Sequence, residues 1–253
     1  MQAFRRFVTN LGKWSVPSLA EGLAKTFVLL ALAQIVTAEQ YGLFTILLLI
    51  FSYHSLAQLG VADFLAVTLP VYFRENKLSQ FRREIGVSLF YTTLTLLAIG
   101  LVAVPVLTIA DVFVSFLLLL STLTYQYFIH NVLSSRYSYE LSLIAKARYI
   151  IIASRLFIQL PSIWFFGIKG YFFIECLHYF AAGLCINKFS NNKIIINSDV
   201  ILFKELIRRS PYYFLMMVSA LIIAGSARFL SGLLFDLDTV GNLGVLIVIS
   251  STI

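Results

Sequence analysis

Seven polar side chains interrupt stretches of this sequence that are otherwise apolar. Their types are able to bind ions, transfer protons or form strong hydrogen bonds. They are Glu21, Lys25, Arg155, Gln159, Glu175, His178 and Arg228. A Lys or Arg held near the centre of a bilayer costs about 2.5–3.5 kcal/mol, so such a residue must be paired, hydrated or functional. The set therefore predicts helices that enclose a polar interior.

The spacing of these residues places them on common helix faces. Glu21 and Lys25 are four residues apart, which puts both on one side of a helix. A longer stripe steps by seven, four and three residues through Arg148, Arg155, Gln159 and Ser162. A third steps by four and three through Tyr171, Glu175 and His178. Three helices are thus each predicted to offer one polar face.

A structural interpretation of the same charges stands beside the functional one. Glu21 with Lys25, and Arg155 with Glu175 on a neighbouring helix, would then be ion pairs that only fix helix register. Arg228 lies near the outward end of its apolar stretch, from which its long side chain can reach the interface.

Three other ionisable residues are expected to have ordinary roles. His54 stands alone in the middle of an apolar stretch and is interpreted as a hydrogen-bonded packing residue. Asp63 and His130 fall at predicted helix ends, where we expect both to be solvated.

The composition identifies the class of protein. Hydrophobic residues make up 60% of the 253, charged residues only 12%, and the mean hydropathy is +0.90. Soluble domains carry about 25% charged residues. The sequence therefore predicts an all-α, polytopic membrane helical bundle. Its formal charge of +7 does not indicate nucleic-acid binding, because the basic residues are spread over short loops.

Nothing in the sequence indicates catalysis, a metal or a cofactor. Phosphate-binding glycine loops, paired catalytic carboxylates and metal-ligand clusters are not visible. Cys176 and Cys185 lack metal-ligand spacing and are expected to be packing residues. The loops are short for a membrane glycosyltransferase or polymerase, so the chain is predicted not to be an enzyme.

Hydropathy divides the chain into seven spans and a shorter apolar run. The spans are predicted at 14–35, 43–59, 85–104, 112–132, 149–166, 170–186 and 212–230. The turns 37–42 and 167–169 join the first and third pairs of spans. The run 241–253 is about 20 Å long as a helix and too short to cross a bilayer, which makes a fragment or truncated gene the expectation.

Loop charges predict the orientation. Of the sixteen Lys and Arg residues outside the spans, all but Lys169 fall in the N-terminal lead or the second, fourth and sixth loops. The positive-inside rule therefore predicts a cytoplasmic N-terminus. Two basic, partly apolar stretches at 69–85 and 197–209 are predicted to form amphipathic surface helices.

Three short motifs stand out in the sequence. The first is the stretch 31–44, which contains the turn Glu39-Gln40-Tyr41-Gly42; the second is 59–63; and the third is Arg208-Arg209-Ser210-Pro211, followed by Arg228 and Val240-Gly241. Together they resemble segments of the polysaccharide-biosynthesis flippases, the O-antigen and capsule exporters of the multidrug, oligosaccharidyl-lipid and polysaccharide exporter superfamily, whose first outward turn is similar to the first motif. The chain departs from the family pattern at Gln34, where relatives often carry Arg.

The resemblance implies a two-lobe, inverted-V transporter with about twice as many spans. Residues 1–187 would be the first six-helix lobe, 188–209 a cytoplasmic linker and 210–253 the start of a truncated second lobe. The implied activity is translocation, by alternating access, of an oligosaccharide unit on a polyprenyl pyrophosphate across the bacterial inner membrane. Lipid-linked saccharide, membrane lipids and polysaccharide assembly proteins are the implied partners, and no cofactor is expected.

The resemblance also implies roles for the intramembrane residues. Lys25, Arg155 and Arg228, with the polar Gln159, would bind the substrate and attract its pyrophosphate. The candidates for ion or proton coupling are Glu21, Glu175 and His178. The alternatives are a drug or cation antiporter of the same superfamily, a membrane glycosyltransferase or polymerase, and a non-functional remnant.

Overall fold

The computed structural model describes the backbone of residues 2–106, 111–137, 140–191, 193–234 and 240. Side chains are described for the same residues except 2–11, 14, 69, 73, 101–106, 137 and 223–234. Every regular element in these ranges is helical, which confirms the predicted all-α class. The predicted run 241–253 lies outside the described residues, as does the side chain of Arg228.

Nine α-helices follow one another in the described chain. They are α1 (Gln2–Ile35), α2 (Ala38–Ser52), α3 (Val61–Arg74), α4 (Leu78–Val106), α5 (Val112–Tyr137), α6 (Leu141–Ser154), α7 (Leu160–Phe189), α8 (Val200–Arg209) and α9 (Pro211–Leu234). A 3₁₀ segment (Tyr53–Gln58) extends α2, and a π-helical turn (Arg155–Gln159) joins α6 to α7.

Four of the described segments are long and apolar enough to cross a membrane, as predicted for a polytopic membrane protein. They are Ser15–Ile35, Ala38–Gln58, Val112–Arg136 and the 49-residue run Leu141–Phe189. Apolar side chains of α1, α2, α5 and α7 meet in one buried cluster that includes Leu32, Phe44, Leu117 and Phe172. These four helices form the frame around the polar interior.

The first helical hairpin turns more tightly than the sequence indicated. Thr37 begins α2 with a capping box: its Oγ1 accepts the Gln40 N–H, and the Thr37 N–H donates to Gln40 Oε1, both at 3.2 Å. The helix therefore starts at Ala38, and the predicted turn of 37–42 is wrong. Tyr41 and Gly42 lie not in a turn but buried in the first turns of α2.

The run from Leu141 to Phe189 reverses direction at Gly167. This residue has φ +54° and ψ −131°, a conformation outside the helical region and one that glycine adopts without strain. Gln159 Nε2 donates to the Tyr171 carbonyl at 3.1 Å, which brings the chain on the two sides of the turn together. The run therefore forms two antiparallel arms, one before and one after Gly167. The predicted turn at 167–169 is confirmed.

The predicted surface helix at 69–85 is not continuous. Asn76 has φ +59°, and the chain between Arg74 and Leu78 forms a turn rather than a helix. The first part belongs to α3, whose Phe64 and Leu65 pack against Phe81 at the start of α4. In the second predicted stretch, at 197–209, a helix forms as expected but begins only at Val200, where Asp199 caps α8.

Contacts between loops divide the molecule into two ends. At one end Lys169 forms an ion pair with Asp111 at 2.6 Å, and Gly167 lies beside Val36. The other end holds the second, fourth and sixth loops, because Arg83 pairs with Asp199 and Glu140 accepts the Asn191 N–H at 2.9 Å. The described parts of the first, third and fifth loops are thus separated from those of the second, fourth and sixth loops.

The segment between α7 and α9 is held closely against the helices before it. Tyr91 on α4 donates to the Ser198 carbonyl at 3.1 Å and stacks on Phe203 of α8, with ring centroids 4.0 Å apart. Gly86 leaves no room for a side chain, since a Cβ there would meet the Ile195 carbonyl at 1.8 Å. Residues 195–203 therefore run along the first part of α4.

Candidate functional site

The π-helical turn between α6 and α7 sets up the polar centre. Its defining bond runs from the Leu160 N–H to the Arg155 carbonyl, five residues back. Pro161 follows directly and has no N–H to donate, which weakens the ordinary helical pattern at this point. Arg155 and Gln159, at the two ends of the turn, are both fully buried, whereas Phe157 between them is 77% exposed.

Arg155 is the centre of a buried cluster. Its Nη2 donates to Glu175 Oε1 and to the hydroxyl of Tyr179, both at 3.0 Å. The guanidinium carbon also lies 5.9 Å from the centroid of the Tyr179 ring. Gln159 Nε2 donates to the other carboxylate oxygen of Glu175 at 3.1 Å. Glu175 thus has a partner on each oxygen, in a site from which solvent is excluded.

His178 completes this cluster from one turn further along α7. Its Nε2 lies 3.3 Å from Glu175 Oε2, a distance at which a protonated imidazole would pair with the carboxylate. The side chain of His178 is itself fully buried. Four residues predicted as site residues from two separate stripes are therefore in direct contact.

A second ion pair lies beside the first and joins α1 to α6. Arg148 Nη1 donates to Glu21 Oε2 at 3.0 Å, and the two side chains are only 14% and 16% exposed. Lys25 is one turn from Glu21 on α1 and is partly buried. The structural interpretation of the sequence named Lys25 as a partner of Glu21, and the structure adds an ion pair of the same carboxylate with Arg148 across the helices.

Aromatic rings close the cluster on the side of α2 and α5. Tyr125 packs edge-on against Tyr179 with centroids 4.8 Å apart, and against His54 with centroids 5.0 Å apart. His54 also contacts Phe51, and its Nδ1 is within hydrogen-bond distance of the Phe51 carbonyl. His54 therefore packs as expected, and it borders the ion cluster through Tyr125.

The central cluster has unused hydrogen-bonding capacity. Arg155 Nε and Nη1, Gln159 Oε1 and His178 Nδ1 are buried without a hydrogen-bond partner among the described residues. A buried polar atom left without a partner costs about 1–3 kcal/mol. The cluster therefore offers both donors and an acceptor that a bound ligand or water could satisfy.

A second buried polar chain lies in the half of the bundle that contains the even loops. Gln58 donates to Gln126 Oε1 at 2.7 Å, and His130 Nε2 lies 3.2 Å from Ser88 Oγ. His130 is completely buried, so its expected place in solvent is wrong, whereas Asp63 is exposed as expected. The reason is that α5 continues to Tyr137 instead of ending at the predicted 132.

Sequence reasoning located most of the site but missed two aromatic members, Tyr125 and Tyr179. The spacing placed Arg148 on the same helix face as Arg155, but it gave Arg148 no role in the site. Tyr179 directly follows His178, and no spacing rule marks it or Tyr125 as part of the site. Arg228 cannot be placed, because its side chain lies outside the described residues. In the part of the chain that the structure describes, no group of three His, Cys, Asp or Glu could hold a metal ion.

No family model, curated protein or solved structure matches the chain.

Proposed function

We propose that the chain is part of a flippase that moves a lipid-linked saccharide, a sugar unit on a polyprenyl pyrophosphate, across the bacterial inner membrane. The observation that carries this proposal is the buried cluster of Arg155, Gln159 and Glu175 between helices of membrane-spanning length. Ionisable groups held in a membrane interior are costly and typically mark the path of a substrate or an ion.

The sign of the charge in the cluster favours an anionic substrate. Lys25, Arg148 and Arg155 contribute three positive charges, against two negative charges from Glu21 and Glu175. A pyrophosphate would be attracted to this excess and would find free donors on Arg155. The same excess disfavours a drug or cation antiporter, which needs a net acidic cavity.

The burial of Arg155 defines its role in this proposal. In the conformation described, Arg155 and Glu175 are 0% and 2% exposed, so their pair is closed to a ligand. Binding would exchange Glu175 for a phosphate oxygen on the guanidinium. A proton taken up by Glu175, with Glu21 and His178 as neighbouring acceptors, would release Arg155 and couple transport to an ion gradient.

The wider assignment follows from the same proposal. Residues 1–187 would form the first lobe of an inverted-V transporter, 188–209 would connect the lobes on the cytoplasmic side, and 210–253 would begin the second lobe. Lys25, Arg155, Gln159 and Arg228 would bind substrate between the lobes. The N-terminus would be cytoplasmic, and polysaccharide assembly proteins would be the expected partners.

A leaflet assay in the native strain tests the proposal. After deletion of the complete gene, lipid-linked saccharides would be extracted and probed with a sugar-modifying reagent that does not cross the membrane. We expect saccharide to accumulate on the cytoplasmic side and the intact gene to restore outward display. Normal outward display in the deletion strain would contradict the flippase proposal.

A double variant separates substrate binding from packing. Arg155→Met with Glu175→Leu removes both charges together and leaves no buried ion unpaired. If the pair only holds the helices together, this variant will restore display. We expect this double variant to be present in the membrane at normal amounts but not to restore outward display of the saccharide. Lys169→Ala is the control: it removes an exposed cation at the end of the molecule that holds the odd loops, and it should restore display fully.

A further inference from the structure

A cavity of about 720 Å³ lies between α6 and the end of α7, outside the ion cluster. It opens at the end of the molecule that holds the even loops, where Glu140 and Asn191 border it. Ser142 and Lys146 of α6 and Phe189 of α7 also line it. None of these residues has a part in the proposed transport site.

The lining changes from polar to apolar along one face of α6. Ser142 and Lys146 come first, and Tyr149 and Ala153 continue the same face at steps of three or four residues. Tyr149 is 51% exposed and Ile150 is 41% exposed, and both lie within a segment of membrane-spanning length. The cavity is therefore amphipathic, with its apolar part directed along the span.

The charges at the polar end favour a phosphate. Lys146 has no ion pair with the described residues, and the Lys188 amine lies 5.6 Å from the centroid of the Phe189 ring. Glu140 is the only acidic residue in the described lining. Its two oxygens already accept hydrogen bonds from the Ser190 hydroxyl and the Asn191 N–H.

We propose that this cavity binds one anionic phospholipid, with the phosphate near Lys146 and one acyl chain along Tyr149, Ile150 and Ala153. Charge complementarity at the mouth and an apolar continuation into the span together fit a lipid better than a soluble anion, which would leave the apolar part empty. The inference does not depend on what the chain transports.

Cys185 lines the same cavity and gives a direct measurement of its occupancy. Cys176→Ala leaves Cys185 as the single thiol. The full chain would be placed in nanodiscs of phosphatidylcholine with increasing fractions of phosphatidylglycerol, and the rate of Cys185 alkylation measured. We expect phosphatidylglycerol to slow the reaction, because the bound lipid covers the thiol.

The role of Lys146 is tested in the same assay with Lys146→Gln. Loss of one Lys near a lipid phosphate weakens binding by about 1 kcal/mol, or roughly fivefold, so the protecting fraction of phosphatidylglycerol should rise by that factor. Lys204→Gln, on an exposed position of α8, is the matched control and should leave protection unchanged.

Three results would overturn the proposal. They are an alkylation rate that does not depend on phosphatidylglycerol, full protection that survives in Lys146→Gln, and equal protection by inorganic phosphate in pure phosphatidylcholine discs. The last would show a site for a soluble anion rather than for a lipid. Far-ultraviolet circular dichroism of each variant, matched to the parent, ensures that the rates are compared between folded proteins.

Discussion

Arg155 and Glu175 are twenty residues apart in the sequence and 3.0 Å apart in the structure. Twenty residues of straight α-helix would separate them by about 30 Å. The reversal at Gly167 removes that separation and sets the middle of one arm against the other. The ion pair therefore depends on the turn as much as on the two side chains.

Breaking this pair from one side should strongly destabilise the fold. Arg155→Ala leaves the Glu175 carboxylate buried without its main partner, and such changes typically cost about 3–5 kcal/mol. The double variant Arg155→Met with Glu175→Leu should recover most of that loss. Thermal unfolding in detergent measures both. Glu75→Gln, which removes an exposed ion pair with Lys77, is the control and should change little. Equal unfolding temperatures for all variants would contradict the burial described here.

Close approach of the two arms predicts that Gly170 cannot be enlarged. A Cβ at this position would lie 2.3 Å from the Ser162 carbonyl oxygen, which belongs to the backbone and cannot rotate away. We expect Gly170→Ala to destabilise the protein by about 1–3 kcal/mol, in the range of other overpacked sites.

Gly22 provides the matched control, because a Cβ there would meet nothing within 4 Å. Ala is favoured over Gly inside a helix, so Gly22→Ala should leave the unfolding temperature unchanged or raise it. If Gly170→Ala and Gly22→Ala change the unfolding temperature equally, the close contact between Gly170 and the Ser162 carbonyl described here is wrong.

The cap of α8 should be sensitive to charge and to acid. Asp199 accepts the Leu202 N–H at 3.0 Å and pairs with Arg83, and these two contacts lower the pKa of its carboxyl below the ordinary value. Its stabilising effect is therefore complete above the ordinary carboxyl pKa and disappears as the pH falls through the lowered one.

Amide hydrogen exchange at residues 200–209 measures this effect. At neutral pH Asp199→Ala should speed exchange in the first turn of α8, whereas Asp199→Asn keeps a capping oxygen and should have a smaller effect. In acid the advantage of the native Asp199 over the asparagine variant should vanish. If the protection of α8 by Asp199 relative to Asn increased as the pH fell, the lowered pKa of this carboxyl would be contradicted.

The separation of odd and even loops predicts opposite labelling from the two sides of the membrane. In a chain whose native cysteines are replaced by Ala, Glu39→Cys should react with an impermeant maleimide added to intact cells, and Lys193→Cys should react only after permeabilisation. The reverse pattern would place the N-terminus outside, and reaction of both in intact cells would contradict the two-ended arrangement.

Sequence reasoning anticipated the helical frame because apolar length is a strong local signal. The reversal at 167–169 was predictable from a glycine between two apolar runs. The helix α3 was not, because its Phe64 and Leu65 are buried by contact with α4 rather than by any periodicity of their own. The break near Asn76 was missed for a similar reason, since basic and apolar residues alternate across it without interruption.

The candidate site shows the same division between local and tertiary information. Helical spacing put Arg155 with Gln159 and Glu175 with His178 on single faces, and it left the Arg155–Glu175 pair as one of several possibilities. The contact between Glu21 and Arg148 was not predictable, because the two residues lie on different helices and 127 positions apart. It arises from the packing of α1 against α6.

The turn at 167–169 also makes Glu175 a tethered competitor. Two groups joined by a short connection meet as if each were present at about millimolar concentration, even after their contact breaks. Any anion that takes the place of Glu175 on Arg155 has to outcompete an acid that cannot diffuse away. A singly charged ligand would therefore bind poorly. A ligand that contacts a second cation at the same time would overcome the high local concentration of the Glu175 carboxylate.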